Sequence, residues 1–140
     1  MPDFDSDLAD GHRAEALVLS LIQKKYPKAY RVEGEFKQYD IFVPENGFRI
    51  EVKHDRYAPA NGRIAVEVMY DGKQSGVYTT TAHRWVFVVG KRSYWIDPSK
   101  LCIAIQGKSI IPTSGNSGVV LLELSKVPWE STIQLDEGKG

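Results

Sequence analysis

Two acidic residues and a lysine lie close together in the sequence, on either side of a predicted turn. They are Asp40, Glu51 and Lys53, within the run QYDIFVPENGFRIEVKHD that spans residues 38–55. Carboxylate oxygens are the ligands that Mg²⁺ prefers, and the ion keeps several of its waters when bound. A lysine beside such an ion can orient a water or stabilise developing negative charge. These residue types are the ones that hydrolysis of a phosphodiester requires.

Two predicted strands must position these side chains. Tyr39 to Val43 and Phe48 to Lys53 flank the segment Pro44-Glu45-Asn46-Gly47, in which Asn-Gly is a strong hairpin signal. A two-residue loop, Asn46-Gly47, would place Asp40 opposite Lys53. A four-residue loop, Pro44 to Gly47, would place Asp40 opposite Glu51 instead.

Both registers give the same division of faces. Asp40, Glu51 and Lys53 share one face, because side chains alternate along a strand. Opposed or diagonal Cβ atoms lie about 4.5–8 Å apart, so the two carboxylates can share one divalent ion. The other face takes the apolar residues Ile41, Val43, Ile50 and Val52. By spacing alone, an ordinary cross-strand charge pair on a half-exposed sheet is the simpler interpretation.

The surroundings favour the metal site. The run from residue 38 to 55 resembles the PD-(D/E)XK nuclease superfamily, in particular its small resolvase-like and phage-type members. Asp40 matches the first acid of the motif and Glu51-Val52-Lys53 matches (D/E)XK, although Tyr39 stands where the motif has proline. The resemblance implies a Mg²⁺-dependent endonuclease, with Mn²⁺ as a substitute, that cuts double-stranded or branched DNA as a homodimer.

The resemblance extends over about residues 10–90. A helix with an acid, Gly11-His12-Arg13-Ala14-Glu15, precedes the hairpin, and in the family such a glutamate supplies a further metal ligand. The stretch GKQSGVYTTTAHRWVFVV, residues 72–89, is similar to the family's second helix and fourth strand. The implied fold is an α/β domain with an αβββαβ core, in which helices flank a central mixed sheet.

Hydrophobic periodicity predicts the same class of fold. An apolar stripe predicts a helix from about Asp10 to Lys25, with Glu15 at its edge. Trp85 to Val89 is apolar throughout, as in a strand covered on both faces. Further strands are predicted at residues 30–33, 63–70, 93–96 and 118–124, and short helices at about residues 75–82 and from residue 97 through Leu101. One domain spans residues 1–140, with its core at about 10–124 and loose ends at 1–6 and 136–140.

Six further residues are candidates for the site or for contacts with nucleic acid. Glu67 could join the site from the next strand or be an ordinary edge-strand charge. His54 and Arg56 follow the lysine and could contact phosphate, although the strand simply ending there is the simpler interpretation of His54. Lys73, Gln74 and Ser75 form a glycine-flanked loop before a predicted helix, where backbone amides suit phosphate, or only a turn.

Composition restricts the alternatives. The net charge is zero, so DNA binding would need a local basic patch. Cys102 is the single cysteine, which excludes an internal disulfide; with no signal-peptide pattern and no long apolar run, the expected setting is cytoplasmic and away from membranes. There is no zinc or phosphate-loop motif. Two rival functions stay open: a non-cleaving DNA-binding or interaction module of the same fold, and an exonuclease or nickase.

Overall fold

The structure is a computed structural model that describes residues 4–35, 37–55 and 58–135. The helices in these ranges are α1 (Phe4–Gln23), α2 (Ala58–Asn61) and α3 (Pro98–Ile105). The strands are β1 (Tyr30–Arg31), β2 (Ile41–Val43), β3 (Phe48–His54), β4 (Arg63–Tyr70), β5 (Lys73–Gln74), β6 (Arg84–Val89), β7 (Arg92–Ile96), β8 (Ile111–Thr113), β9 (Ser117–Glu123) and β10 (Ser131–Gln134).

The predicted mixed sheet is confirmed as a six-stranded sheet in the order β1-β2-β3-β6-β7-β10. All neighbours are antiparallel except β3 and β6, which are parallel. Of this central pair, β6 is covered on both faces. Residues 85–89 of β6 are all buried, as their unbroken apolar run predicts.

One face of this sheet carries α1. Ala14, Val18 and Ile22 of the predicted stripe are buried against Ile50 and Val86. The helix begins at Phe4, several residues earlier than expected, so part of the end predicted to be loose is helical. Residues 1–3 and 136–140 lie outside the described ranges.

The opposite face packs on a second sheet that the sequence did not reveal. Its order is β5-β4-β9-β8, and the α3 helix closes the same core beside it. Residues 111–113 of β8 and 131–134 of β10 are exposed throughout and lack apolar alternation, so neither strand carries the usual sequence signal. Because β10 pairs with β7, the central sheet extends beyond residue 124, where the core was expected to end.

The short helix predicted at residues 75–82 is wrong. The chain makes a single 3₁₀ turn, Gly76–Tyr78, and β6 follows six residues later. Gly76 has a φ of +60°, and a Cβ at this position would collide with the backbone of Glu67. The close approach of β4 therefore fixes the backbone here, in place of helix propensity. Among the described helices, none is long and apolar enough to cross a membrane.

Candidate functional site

The hairpin of β2 and β3 adopts the second of the two predicted registers. Ile41 pairs with Ile50 and Val43 with Phe48, which leaves a four-residue loop. Gly47 has a φ of +74°, which suits glycine, and the Asn46 Oδ1 accepts a hydrogen bond from the Phe48 amide at 2.9 Å. The strand β2 begins at Ile41, so Asp40 lies just before it.

Asp40 is a buried carboxylate with both oxygens engaged. Only 6% of the residue is exposed. Its Oδ2 accepts a hydrogen bond from the Val52 amide at 2.8 Å, in the place where a longer β2 would supply a backbone carbonyl. Its Oδ1 lies 2.9 Å from the Lys37 ammonium. The fold therefore compensates the charge of Asp40 with a backbone donor and a cation.

The charge of Glu51 is less well compensated than that of Asp40. Its carboxylate contacts the Lys53 ammonium at 3.1 Å. Burial is the main cause that raises the pKa of Glu51 to about 7; repulsion from Asp40 adds to it, while Lys53 and Lys37 oppose it. The parallel pairing sets Glu51 beside Trp85, and the Lys53 ammonium lies 5.2 Å from the centroid of the Trp85 ring.

Glu15 is connected to Asp40 through Lys37, a residue that sequence reasoning missed. The Lys37 ammonium contacts the Glu15 Oε1 at 3.7 Å as well as Asp40. Arg31, also missed, donates to the same Glu15 oxygen through its Nε at 3.3 Å. The sequence clue to Lys37 is that it lies three residues before Asp40. Because Lys37 lies in an irregular loop, neither strand nor helix periodicity can predict where its side chain lies.

A cleft of about 440 Å³, here called the central cleft, collects several of these groups. Glu51 and Lys53 line it from β3, Glu67 from β4, and Trp85 from β6. Lys37 forms part of the wall and also contacts Asp40, which does not itself line the cavity. The cleft thus brings together residues of both sheets, and its lining includes carboxylates and ammonium groups.

Glu67 and Ser75 both line this cleft and contact each other. The Ser75 hydroxyl donates to the Glu67 Oε2 at 2.9 Å. Glu67 lies on β4, where it pairs with Val119 of β9, whereas β5 pairs only with Met69 and Tyr70.

Three more of the candidates do not line this cleft. Lys73 and Gln74 form the exposed strand β5, paired with the end of β4, and not the phosphate-binding loop that was expected. His54 is exposed at the end of β3. Arg56 lies outside the described residues. A larger cavity of about 550 Å³, between α1 and β10, is lined by none of the predicted site residues.

The acids of this region can hold a hard divalent cation only through a small number of protein ligands. Over the described ranges, no group of three or more acidic, histidine or cysteine side chains is arranged to hold a metal ion. Asp40 and Glu51 nevertheless repel each other, as the raised pKa of Glu51 reflects. A divalent ion would relieve this repulsion, and Mg²⁺ needs only one or two carboxylates because waters complete its shell. The two residues present fit such an ion.

Comparison with known proteins adds no assignment. The chain matches no protein-family model, and neither a curated protein nor a solved structure shows significant similarity to it.

Proposed function

We propose that this protein is a Mg²⁺-dependent endonuclease that hydrolyses phosphodiester bonds in double-stranded or branched DNA, of the PD-(D/E)XK type. The observation that carries the proposal is the partly buried carboxylate of Glu51, which contacts Lys53 on the wall of an open cleft and whose pKa is raised to about 7 by burial and by repulsion from Asp40. Strongly perturbed carboxylates of this kind concentrate at functional sites.

The charges of the cleft support this assignment over an ordinary surface pair. An exposed cross-strand pair gains little and needs no burial. Here the Glu51 carboxylate is desolvated and lies against Lys53, while a second acid, Asp40, is buried a strand away. Desolvating a carboxylate beside another one is unfavourable for folding, so the arrangement indicates a role other than stability.

Each residue has a separate task in the proposal. Asp40 and Glu51 would hold the ion, with Glu15 reaching it through water and Mn²⁺ able to substitute. When bound, the ion would neutralise phosphate charge and lower the pKa of a water. Lys53 orients the attacking water or stabilises negative charge on the phosphate oxygens. The indole of Trp85 packs beside Lys53 and limits where its ammonium can lie.

The proposal includes a homodimer that acts inside the cell. One cleft cuts one strand, so a double-strand break needs two copies. Intracellular Mg²⁺ and DNA would be available there, and Cys102 would stay reduced.

The test is a cleavage assay on purified protein. Supercoiled plasmid, linear duplex, single-stranded DNA and a four-way junction are incubated with Mg²⁺, Mn²⁺, Ca²⁺ or EDTA. We expect cleavage of duplex or junction in Mg²⁺ and Mn²⁺, none in EDTA, and none by an Asp40→Asn, Glu51→Gln double variant. Glu45→Gln is the matched control, because Glu45 is an exposed acid of the hairpin loop and lies outside the central cleft.

The outcome also separates the rival functions. Cleavage of open ends only would indicate an exonuclease, and single-strand breaks only a nickase. If the wild type binds DNA and cuts none of the substrates in either metal, the non-cleaving module is the better assignment. Equal cleavage by wild type and double variant would remove Asp40 and Glu51 from the site.

A further inference from the structure

A second cavity, of about 480 Å³, lies where α3, the start of β4 and the end of β9 meet. We call it the basic cleft, because its charged lining consists of four cations and one acid: Arg63, Lys100, Lys108, Lys126 and Glu123. The whole chain has 18 basic and 18 acidic residues, so this excess is local. A patch of this sign attracts anions.

Two of these four cations form no ion pair within the described residues. Lys126 contacts Glu123 at 3.5 Å, and Lys100 contacts Glu130 at 3.3 Å. Across the part of the chain that the structure describes, the side chains of Arg63 and Lys108 form neither an ion pair nor a hydrogen bond. Two cations therefore stay available to an external ligand.

The strand β4 connects the basic cleft to the central cleft. Ile64 and Val66 are fully buried, so the alternate residues Arg63 and Glu67 lie on the opposite face of the strand. Arg63 lines the basic cleft and Glu67 the central cleft. Four residues of strand span about 13 Å. A small anion cannot reach both cavities, but a polyanion with regularly spaced charges can.

We propose that the basic cleft binds the phosphate backbone of DNA that is engaged at the central cleft, through Arg63 and Lys108. The inference rests on the proposed function and specifies which residues hold its DNA substrate. At about 3.4 Å of rise per nucleotide, the phosphates bound here lie about four nucleotides from the bond at the central cleft. These contacts position the DNA and carry no sequence information.

The experiment measures DNA binding separately from cleavage. Anisotropy of a labelled 25-base-pair duplex is titrated in Ca²⁺ at several salt concentrations, with Arg63→Gln, Lys108→Gln as the test variant. Glutamine keeps most of each side chain, and matching melting temperatures will show that the fold is intact. The control is Lys24→Gln, Lys91→Gln, which removes two cations that are exposed and outside both clefts.

We expect the test variant to bind about tenfold more weakly at 0.15 M salt, and the slope of log affinity against log salt to fall by about 1.8, or 0.9 per lost contact. The control should change affinity less than twofold. Turnover at saturating DNA in Mg²⁺ should stay within twofold of wild type, so the loss should appear in KM.

Every result decides the inference. Equal weakening by test and control variants, or no weakening by either, would overturn it while leaving cleavage by the central cleft intact. A wild type that does not bind DNA would also overturn it. Selective weakening by the test variant in a protein that never cuts DNA would support the basic cleft and reject the nuclease assignment.

Discussion

Asp40 and Glu51 are a buried and a partly buried acid of the same hairpin region, and their surroundings compensate their charges differently. Asp40 receives a backbone hydrogen bond and a lysine, one for each oxygen. Glu51 contacts Lys53, with Lys37 acting at longer range, and burial raises its pKa to about 7. The comparison indicates that the charge of Asp40 is part of the fold, whereas the charge of Glu51 is tolerated by the fold and is available for chemistry.

The largest effect should come from the lysine beside Glu51. Lys53→Met keeps the length of the side chain and removes its charge. We expect the cleavage rate to fall at least about a hundredfold, as when other preorganised stabilising groups are removed. Affinity for DNA in Ca²⁺ should change only a few-fold, since a single phosphate contact is lost. Single-turnover kinetics and anisotropy measure the two quantities.

Lys91→Met is the matched control, because Lys91 is an exposed lysine that lines neither the central cleft nor the basic cleft. A Lys53→Met protein that cuts at the wild-type rate would show that the lysine is only part of a cross-strand charge pair.

The next largest effect should be on the free energy of unfolding, which should distinguish the two acids. Asp40→Ala leaves the Val52 amide without its acceptor and Lys37 without its nearest partner. A buried unsatisfied donor costs about 1–3 kcal/mol, so we expect the free energy of unfolding to fall by about 2–3 kcal/mol. Urea denaturation in EDTA measures it. If Asp40→Ala is as stable as wild type, Asp40 is not a structural acid and the comparison fails.

Substituting Glu51 should stabilise the protein, in contrast to substituting Asp40, and the effect should depend on pH. Its pKa rises from 4.5 to about 7 on folding, so the folded state binds the proton more tightly. The metal-free protein should therefore lose stability as pH rises from about 4.5 to about 7, by roughly 1–3 kcal/mol, and stay at that lower level above.

Glu51→Gln removes this dependence. In EDTA the variant should melt at a higher temperature than wild type at pH 8 and close to it at pH 5. Thermal melts between pH 5 and pH 8 test the sign of this difference. Mg²⁺ should reduce the difference in melting temperature at pH 8, because it binds the wild type and not the variant. Parallel melting curves for the two proteins would mean that Glu51 is not destabilised by its surroundings.

The smallest effect should come from Lys37. Its ammonium contacts Asp40 and Glu15, the acids that would face a metal ion from that side. Lys37→Met removes this competing cation, so we expect Ca²⁺ to bind about three- to tenfold more tightly, equivalent to about 1 kcal/mol. Calorimetry measures the affinity, with the exposed Lys28→Met as control. Unchanged or weaker binding would show that the ammonium does not compete with the metal ion.

Sequence reasoning predicted the parts of the molecule that follow local hydrophobic periodicity. The buried β6 and the β2–β3 hairpin were predictable, because a continuous apolar run and strand alternation dictate them. Lys37 and Arg31 were not, since Lys37 lies in an irregular loop and Arg31 in a two-residue strand. The misassigned helix at residues 75–82 failed for a tertiary reason: Gly76 packs against the backbone of β4.

The parallel pairing of β3 with β6 has a consequence for folding kinetics. The β2–β3 hairpin closes over a short loop, whereas the contact between Arg49 and His83 beside the parallel pair joins residues 34 positions apart. Closing such a loop is slow, because its entropy is lost before the contacts form. The Asp40 hairpin should therefore form early and Trp85 should dock late. Refolding followed by tryptophan fluorescence in a Trp95→Phe, Trp129→Phe variant, which keeps Trp85, should lag behind formation of the hairpin.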